Sequence, residues 1–212
     1  MKTILSIDFD IIMAPTINFY NHLVPKAKWE TLQLEPITNM FYADYRYYQE
    51  LTKFLLKLIK KYPKEKFHFI QNHDSILKFI KDDKINLINI DHHHDLGYKI
   101  ELREKKVLPS QITVANWVKY LKDNNQLNSY IWISSFSSEE RDDLLPTGFG
   151  RKYIDEQLYL HDINLLDYMD KDFDEIIICL SPEWVPIKYR DLYFTWFEIF
   201  NTFYDHFFKF ED

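Results

Sequence analysis

The segment that most constrains this chain is Ile85-Asn86-Leu87-Ile88-Asn89-Ile90, followed at once by Asp91-His92-His93-His94-Asp95-Leu96-Gly97. A mostly apolar run behind a polar Lys-Asp-Asp-Lys turn predicts a buried strand. Asp91 to Asp95 then fall where that strand leaves the sheet, the place where open α/β sheets commonly bind ligands. In near-extended backbone alternate side chains share a side, which predicts Asp91, His93 and Asp95 together, with His92 and His94 opposite. Two carboxylates and one imidazole make a hard, oxygen-rich donor set. Such a set suits Mn²⁺ or another divalent first-row ion better than a thiolate-type zinc site would.

A chain of 212 residues holds one full α/β core, so a single domain over 1–212 is expected. A hydrophobic fraction of 46% with 17% aromatics excludes a disordered chain. The formal charge of −7 argues against a nucleic-acid binder and suits a cationic substrate. Cys179 is the single cysteine, which rules out an internal disulfide and a cysteine-based metal cluster and fits a reducing cytoplasm. No apolar stretch approaches the roughly 18 residues of a membrane span, and Asp8 and Asp10 interrupt the place of a signal peptide's apolar run. A soluble cytoplasmic protein without membrane partners is therefore expected. The glycines, Gly97, Gly148 and Gly150, build neither a phosphate-cradling loop nor a dinucleotide fingerprint.

Other predicted strands also end in chemistry. Thr3 to Ile7 runs into Asp8-Phe9-Asp10, whose two carboxylates share a face. Lys66 to Gln71 runs into Asn72-His73-Asp74, with a short helix expected over Ser75 to Lys81. Glu175 to Leu180 opens into Ser181-Pro182-Glu183-Trp184, and Tyr130 to Ser134 is a further strand. A short strand is also expected within 152–160. Helices are predicted over Tyr45 to Tyr62, stopped by Pro63, over Ile112 to Leu121, and over Tyr189 to Phe208. The last carries a stripe of Tyr193, Phe197, Phe200, Tyr204 and Phe207, widened by Trp196, Phe203 and Phe208. That stripe reads as core, with a homo-oligomer contact as second choice. Residues 13–44, 98–109 and 135–151 read as loops, the last as a mobile crossing or lid whose Glu139 to Asp143 run is a solvated face.

Parallel strands would bring Asp8, Asp10, His73, Asp91, His93, Asp95 and the Cys179 to Glu183 turn to one sheet edge. Six ligands with four carboxylates exceed what one catalytic ion takes but suit two ions bridged by shared aspartates. Paired cations acidify a bridging water and hold it toward an electrophilic carbon, so metal-assisted hydrolysis is the expected chemistry.

These residues carry a resemblance. Asp91-x-His93-x-Asp95, Ser-Ile-Asp8-Phe-Asp10 and the separate His73 resemble the ureohydrolase superfamily of arginases, agmatinases and formiminoglutamases. Asn72-His73-Asp74, Asp91-His92-His93-His94-Asp95-Leu96, Asn116-Trp117, Ile131-Trp132 and the stretch 8–19 resemble more closely the ureohydrolase-like peptide arginases of ribosomal-peptide maturation. The resemblance implies a three-layer α/β/α fold, two Mn²⁺ ions, and conversion of arginine side chains to ornithine with release of urea. The substrate would be an arginine-containing peptide or a small guanidino compound. It implies that Asp8 and Asp91 bridge the ions, that His73 and Asp95 bind one, and that His93 and Asp10 bind the other. His94 or Asp95 would relay the proton that the leaving amine needs.

Two departures from the family pattern stand out. The Asp-x-Asp pair precedes the Asp-x-His-x-Asp motif instead of following it, so a permuted strand order is needed to rebuild the site. The family's guanidinium-holding glutamate falls on Cys179 or Glu183, depending on register. Glu183 is preferred, because a carboxylate accepts paired hydrogen bonds from guanidinium while a protonated thiol does not. The alternatives are a phosphoesterase of the Asp-His-His type, a haloacid-dehalogenase-like phosphatase with Asp8 as nucleophile and Asp10 as acid, and a metal-stabilised peptide-binding protein without turnover.

Overall fold

The computed structural model describes residues 1–15, 41–81, 84–97, 106–135, 154–182 and 184–207. Its centre is a six-stranded sheet of β1 (Lys2–Asp8), β4 (Phe67–Ile70), β5 (Ile85–Ile90), β6 (Leu127–Ser134), β7 (Glu156–Tyr159) and β8 (Glu175–Cys179). The spatial order is β4-β8-β1-β5-β6-β7, and every pairing is parallel. A small antiparallel ribbon of β2 (Met13–Pro15) and β3 (Phe41–Ala43) follows β1. All strand exits of a parallel sheet lie on one edge. Here β1 leads on toward β4 on one side while β5 leads to β6 on the other, so the chain directions diverge between β1 and β5. Such a switch point is where a crevice opens in α/β sheets.

The alternation of strand side chains sends apolar groups to both faces. Leu5, Ile7, Ile88, Ile90, Ile176 and Ile178 join one core with helix α1 (Tyr45–Lys61) and helix α3 (Ile187–Phe207). Ile4, Leu87, Tyr130, Trp132 and Ile177 join a second core with helix α2 (Trp117–Asp123) and Ile76 of a 3-10 helix, His73–Lys78. Helices thus cover both faces of the sheet. Helix α1 starts where Asp44 accepts a hydrogen bond from the Arg46 amide, and it ends at Lys60 and Lys61, before Pro63.

Two expectations need correction. The helix expected from Ile112 begins only at Trp117. The Asn116 side chain accepts from Thr113 N at 2.8 Å and donates to Gln111 O at 3.0 Å, holding that stretch as a turn. On α3 the buried stripe runs through Tyr193, Trp196, Phe200 and Tyr204, while Phe197 is 42% exposed. Trp196 takes the inner position because its ring meets Phe9 at 4.9 Å and stacks on Tyr48 at 5.6 Å, and its Nε1 donates to Thr52 Oγ1 at 2.8 Å. The expected excursion over 13–44 is described only at the β2-β3 ribbon. Most of the expected loops over 98–109 and 135–151 fall outside the described residues. Among the described residues, no helix is long and apolar enough to cross a membrane.

Candidate metal centre

The site is assembled at the divergence of β1 and β5. The register pairs Ile7 with Ile90, so Asp8 and Asp91 leave neighbouring strands side by side. Each carboxylate then accepts from its own turn: Asp8 Oδ1 from Asp10 N at 3.2 Å, Asp91 Oδ1 from His93 N at 2.8 Å. These Asx-type turns swing Asp10 and His93 back toward the sheet edge. A further bond, His92 N to Asp10 Oδ1 at 3.3 Å, ties the two turns together. His73 arrives from the exit of β4, two strands away, on the 3-10 turn that it begins. Asp8, Asp10, His73, Asp91, His93 and Asp95 are all buried.

The six predicted ligands therefore meet, and five of them form two groups that could hold a metal ion, Asp8-His73-Asp91 and Asp10-Asp91-His93. Asp91 belongs to both, whereas Asp8, expected to bridge as well, belongs to the first alone, its oxygens accepting from Asp10 N and Ser181 Oγ. Asp95 stands beside the first, its Oδ2 3.0 Å from His73 Nδ1. Around that same Nδ1 lie Asp8 Oδ2 at 3.0 Å and Asp91 Oδ2 at 3.1 Å, yet the nitrogen makes no aligned hydrogen bond to any of them. The distances alone suggest ion pairs; the missing alignment favours a different reading. On the far side of the ring, Ser6 Oγ lies 2.7 Å from Nε2. When the hydroxyl accepts from Nε2–H, the Nδ1 lone pair points into three carboxylates, an arrangement that a cation completes. In the second group Asp10 Oδ2 lies 2.8 Å from His93 Nδ1, again without an aligned hydrogen bond. The donors of each group could thus hold a metal ion.

The electrostatics agree with that fit. Burial raises Asp8 and lifts Asp10 well above the usual carboxylate range, with added repulsion from Asp10 on Asp8 and from Asp91 on Asp10. Burial and the charges of Asp95 and Asp8 push Asp91 up to about 7. Burial raises Asp95 to about 6 against the opposing pull of His73. Burial alone would lower His73, but the charge of Asp8 and the contacts to Asp8, Asp91 and Asp95 leave it raised well above its ordinary value. In the ion-free protein, burial and mutual repulsion favour protonated carboxyls. Divalent cations would displace those protons and remove the repulsion among buried like charges.

The expected extended arc of 91–95 is corrected: His93 folds back on the turn that Asp91 caps, and Asp95 departs further. Asp95 adopts a left-handed backbone, φ 51°, and reaches its neighbours through a turn rather than through strand pleating. Trp117 Nε1 donates to Asp95 Oδ2 at 2.6 Å and fixes that turn. His92 and His94 do point elsewhere. His92 Nδ1 lies 2.9 Å from Ser135 Oγ. His94 Nδ1 accepts from Leu96 N at 3.0 Å, and its ring meets Trp132 edge-on. Cys179 is fully buried, its thiol 3.3 Å from Gln71 O and 3.4 Å from Ser181 Oγ, and burial pushes its pKa well up. Glu183 lies outside the described residues.

Sequence reasoning missed several supporting groups. Asn89 Nδ2 donates to Asp91 Oδ2 at 3.0 Å, Ser181 Oγ to Asp8 Oδ2 at 2.5 Å, and Trp132 Nε1 to Asp91 O at 2.9 Å. A signal for two of them was present. Ser6 and Asn89 are polar interruptions two residues before Asp8 and Asp91, on the same strand face, and the register pairs them directly.

No protein-family model, curated protein or solved structure matches this chain.

Proposed function

We propose that the protein is a binuclear, Mn²⁺-dependent hydrolase of guanidinium groups, a peptide arginase that converts arginine side chains to ornithine with release of urea. The observation that carries the reading is the pair of buried groups joined through Asp91, a carboxylate that two adjacent ions could share. The resemblance supplies the substrate. The adjacency of β1 and β5 supports it, since it brings the early Asp-x-Asp pair beside the later Asp-x-His-x-Asp motif.

Two bound Mn²⁺ ions would supply the Lewis acidity that makes water nucleophilic near neutral pH. The chain's own residues do the rest. Asp8, Asp91 and His73, with Asp95 beside them, would hold one ion, and Asp10, His93 and the shared Asp91 would hold the other. Ser6 orients His73, while Asn89 and Ser181 orient the shared and the first carboxylates. The amine leaving the guanidinium carbon must take up a proton. Of the two groups expected to relay it, His94 has its Nδ1 engaged by its own turn, and Asp95 stands among the ion ligands.

The test is urea release. Mn²⁺-loaded protein is incubated with an arginine-containing peptide and, separately, with free arginine. Urea together with the mass loss of arginine-to-ornithine conversion is the expected result for the peptide. Absence of both, or hydrolysis of an aryl phosphate instead, refutes the proposal.

A further inference from the structure

The ligand cluster is not sealed evenly. The side chains of Asp8, Asp10, His73, Asp91 and Asp95 are at most 4% exposed, whereas that of His93 keeps 10%. His93 is thus the ligand most open to solvent. Over that ring lies Trp184, with centroids 4.5 Å apart and planes tilted by 39°. Trp184 is itself only half-buried.

Its position is built into the turn after β8. Ser181, in a left-handed conformation at φ 47°, donates its hydroxyl to Asp8. Trp184 N donates to Ser181 O at 2.9 Å, and Val185 N to the same oxygen at 3.1 Å. From α3, Arg190 Nε donates to Val185 O at 3.0 Å and Nη2 to Pro182 O. One end of the turn is thus tied to a ligand of the first group while its indole rests on a ligand of the second.

Charge balance says what this ring is for. Four aspartates offset the charge of two divalent ions, so a loaded centre offers an incoming cation little net attraction. Beside the carboxylate expected at Glu183, recognition of a planar cation then draws on groups outside the ligands, and the tryptophan face is the strongest aromatic partner for one. We propose that Trp184 is the specificity-determining wall of the site, stacking its indole on the guanidinium as that group approaches past His93. This rests on the reading of the centre as a guanidinium hydrolase.

Two variants test it in the full-length, Mn²⁺-loaded protein: Trp184→Leu, which keeps bulk without a π face, and Trp184→Phe, which keeps a smaller face. Calorimetry measures binding of an arginine-containing peptide and of the same peptide with lysine. Urea assays give kcat and KM, and Mn²⁺ titration reports loading. The expected result is a loss of arginine-peptide affinity of roughly 2- to 30-fold in Trp184→Leu, seen in KM and not in kcat. Trp184→Phe should be intermediate, lysine-peptide binding should change less, and Mn²⁺ loading should match wild type. Unchanged affinity in Trp184→Leu, a loss explained by poorer Mn²⁺ loading, or no arginine-peptide binding by the wild type would overturn the proposal. Binding that depends on Trp184 without urea release would sink the hydrolase reading and sustain this one. Urea release with an unaltered KM would do the reverse.

Discussion

The sharpest consequence of the shared carboxylate concerns Asp91→Asn in the metal-free protein. The substitution keeps shape and removes one buried charge. Asp91 is raised from 3.8 to about 7 by burial and by its acidic neighbours. Because the folded value is the higher one, the group's stabilising contribution is complete below pH 3.8 and is lost as pH rises through about 7. At about 1.4 kcal/mol per pH unit, the folded wild type gives up roughly 4 kcal/mol by pH 8 and roughly 1 to 2 kcal/mol at pH 5. The amide does not titrate, so the advantage of Asp91→Asn over wild type should grow by roughly 2 to 3 kcal/mol between pH 5 and pH 8.

Two hydrogen bonds survive the exchange, while the favourable charge contact of Asp91 Oδ2 with His73 Nδ1 at 3.1 Å is lost. Asp91 accepts from His93 N and from Asn89 Nδ2, and the new amide NH₂ would face the latter. Asn89 Oδ1 is buried without a hydrogen-bond partner, so a flip of the Asn89 amide offers it as the acceptor. Denaturant unfolding of chelator-treated protein at the two pH values measures the difference, and Mn²⁺ titration measures the other half of the prediction. The stabilised variant should bind Mn²⁺ poorly at both positions, since both groups use Asp91. A metal-free Asp91→Asn less stable than wild type at pH 8, or one that still loads two ions, would refute the reasoning.

Other outcomes follow from the same geometry. Ser6→Ala frees His73 Nε2 and should weaken the Asp8-His73-Asp91 position by about 10- to 100-fold while sparing Asp10-Asp91-His93. Mn²⁺ stoichiometry near one instead of two at limiting metal would show this. Saturating Mn²⁺ should raise the melting temperature of wild type more at pH 8 than at pH 5, because protons compete for ligands whose pKa values reach about 6 and 7. Equal shifts at both pH values would contradict it. Trp196→Ala, at a fully buried ring packed on Phe9 and Tyr48, should cost about 3–5 kcal/mol in denaturant unfolding without altering Mn²⁺ stoichiometry.

The ligand set was legible before any coordinates because each strand announced its own end. Apolar runs ending at or just before Asp8, His73 and Asp91 fix where polar side chains emerge, but Asp10 and His93 are drawn back by the turns that Asp8 and Asp91 cap, and not by strand pleating. What strand periodicity does not encode is how a chain behaves after it leaves the sheet. Asp95 therefore reached the site through a left-handed turn held by Trp117, and Ile112 to Asn116 stayed out of α2 because the Asn116 amide binds local backbone. Likewise the choice of Trp196 over Phe197 for the inner face of α3 depended on Phe9 and Tyr48, rings far away in sequence.

By itself, then, the sequence determined that strands would be buried and that acids and imidazoles would stand at their ends. Those are local consequences of hydrophobic periodicity. Only the tertiary structure decided that β1 lies against β5, that Asp91 serves both ligand groups, and that Ser6, Asn89, Ser181 and Trp184 surround them. Strand order is set by which pairings bury the most apolar surface across the whole sheet, a non-local sum that no single segment carries.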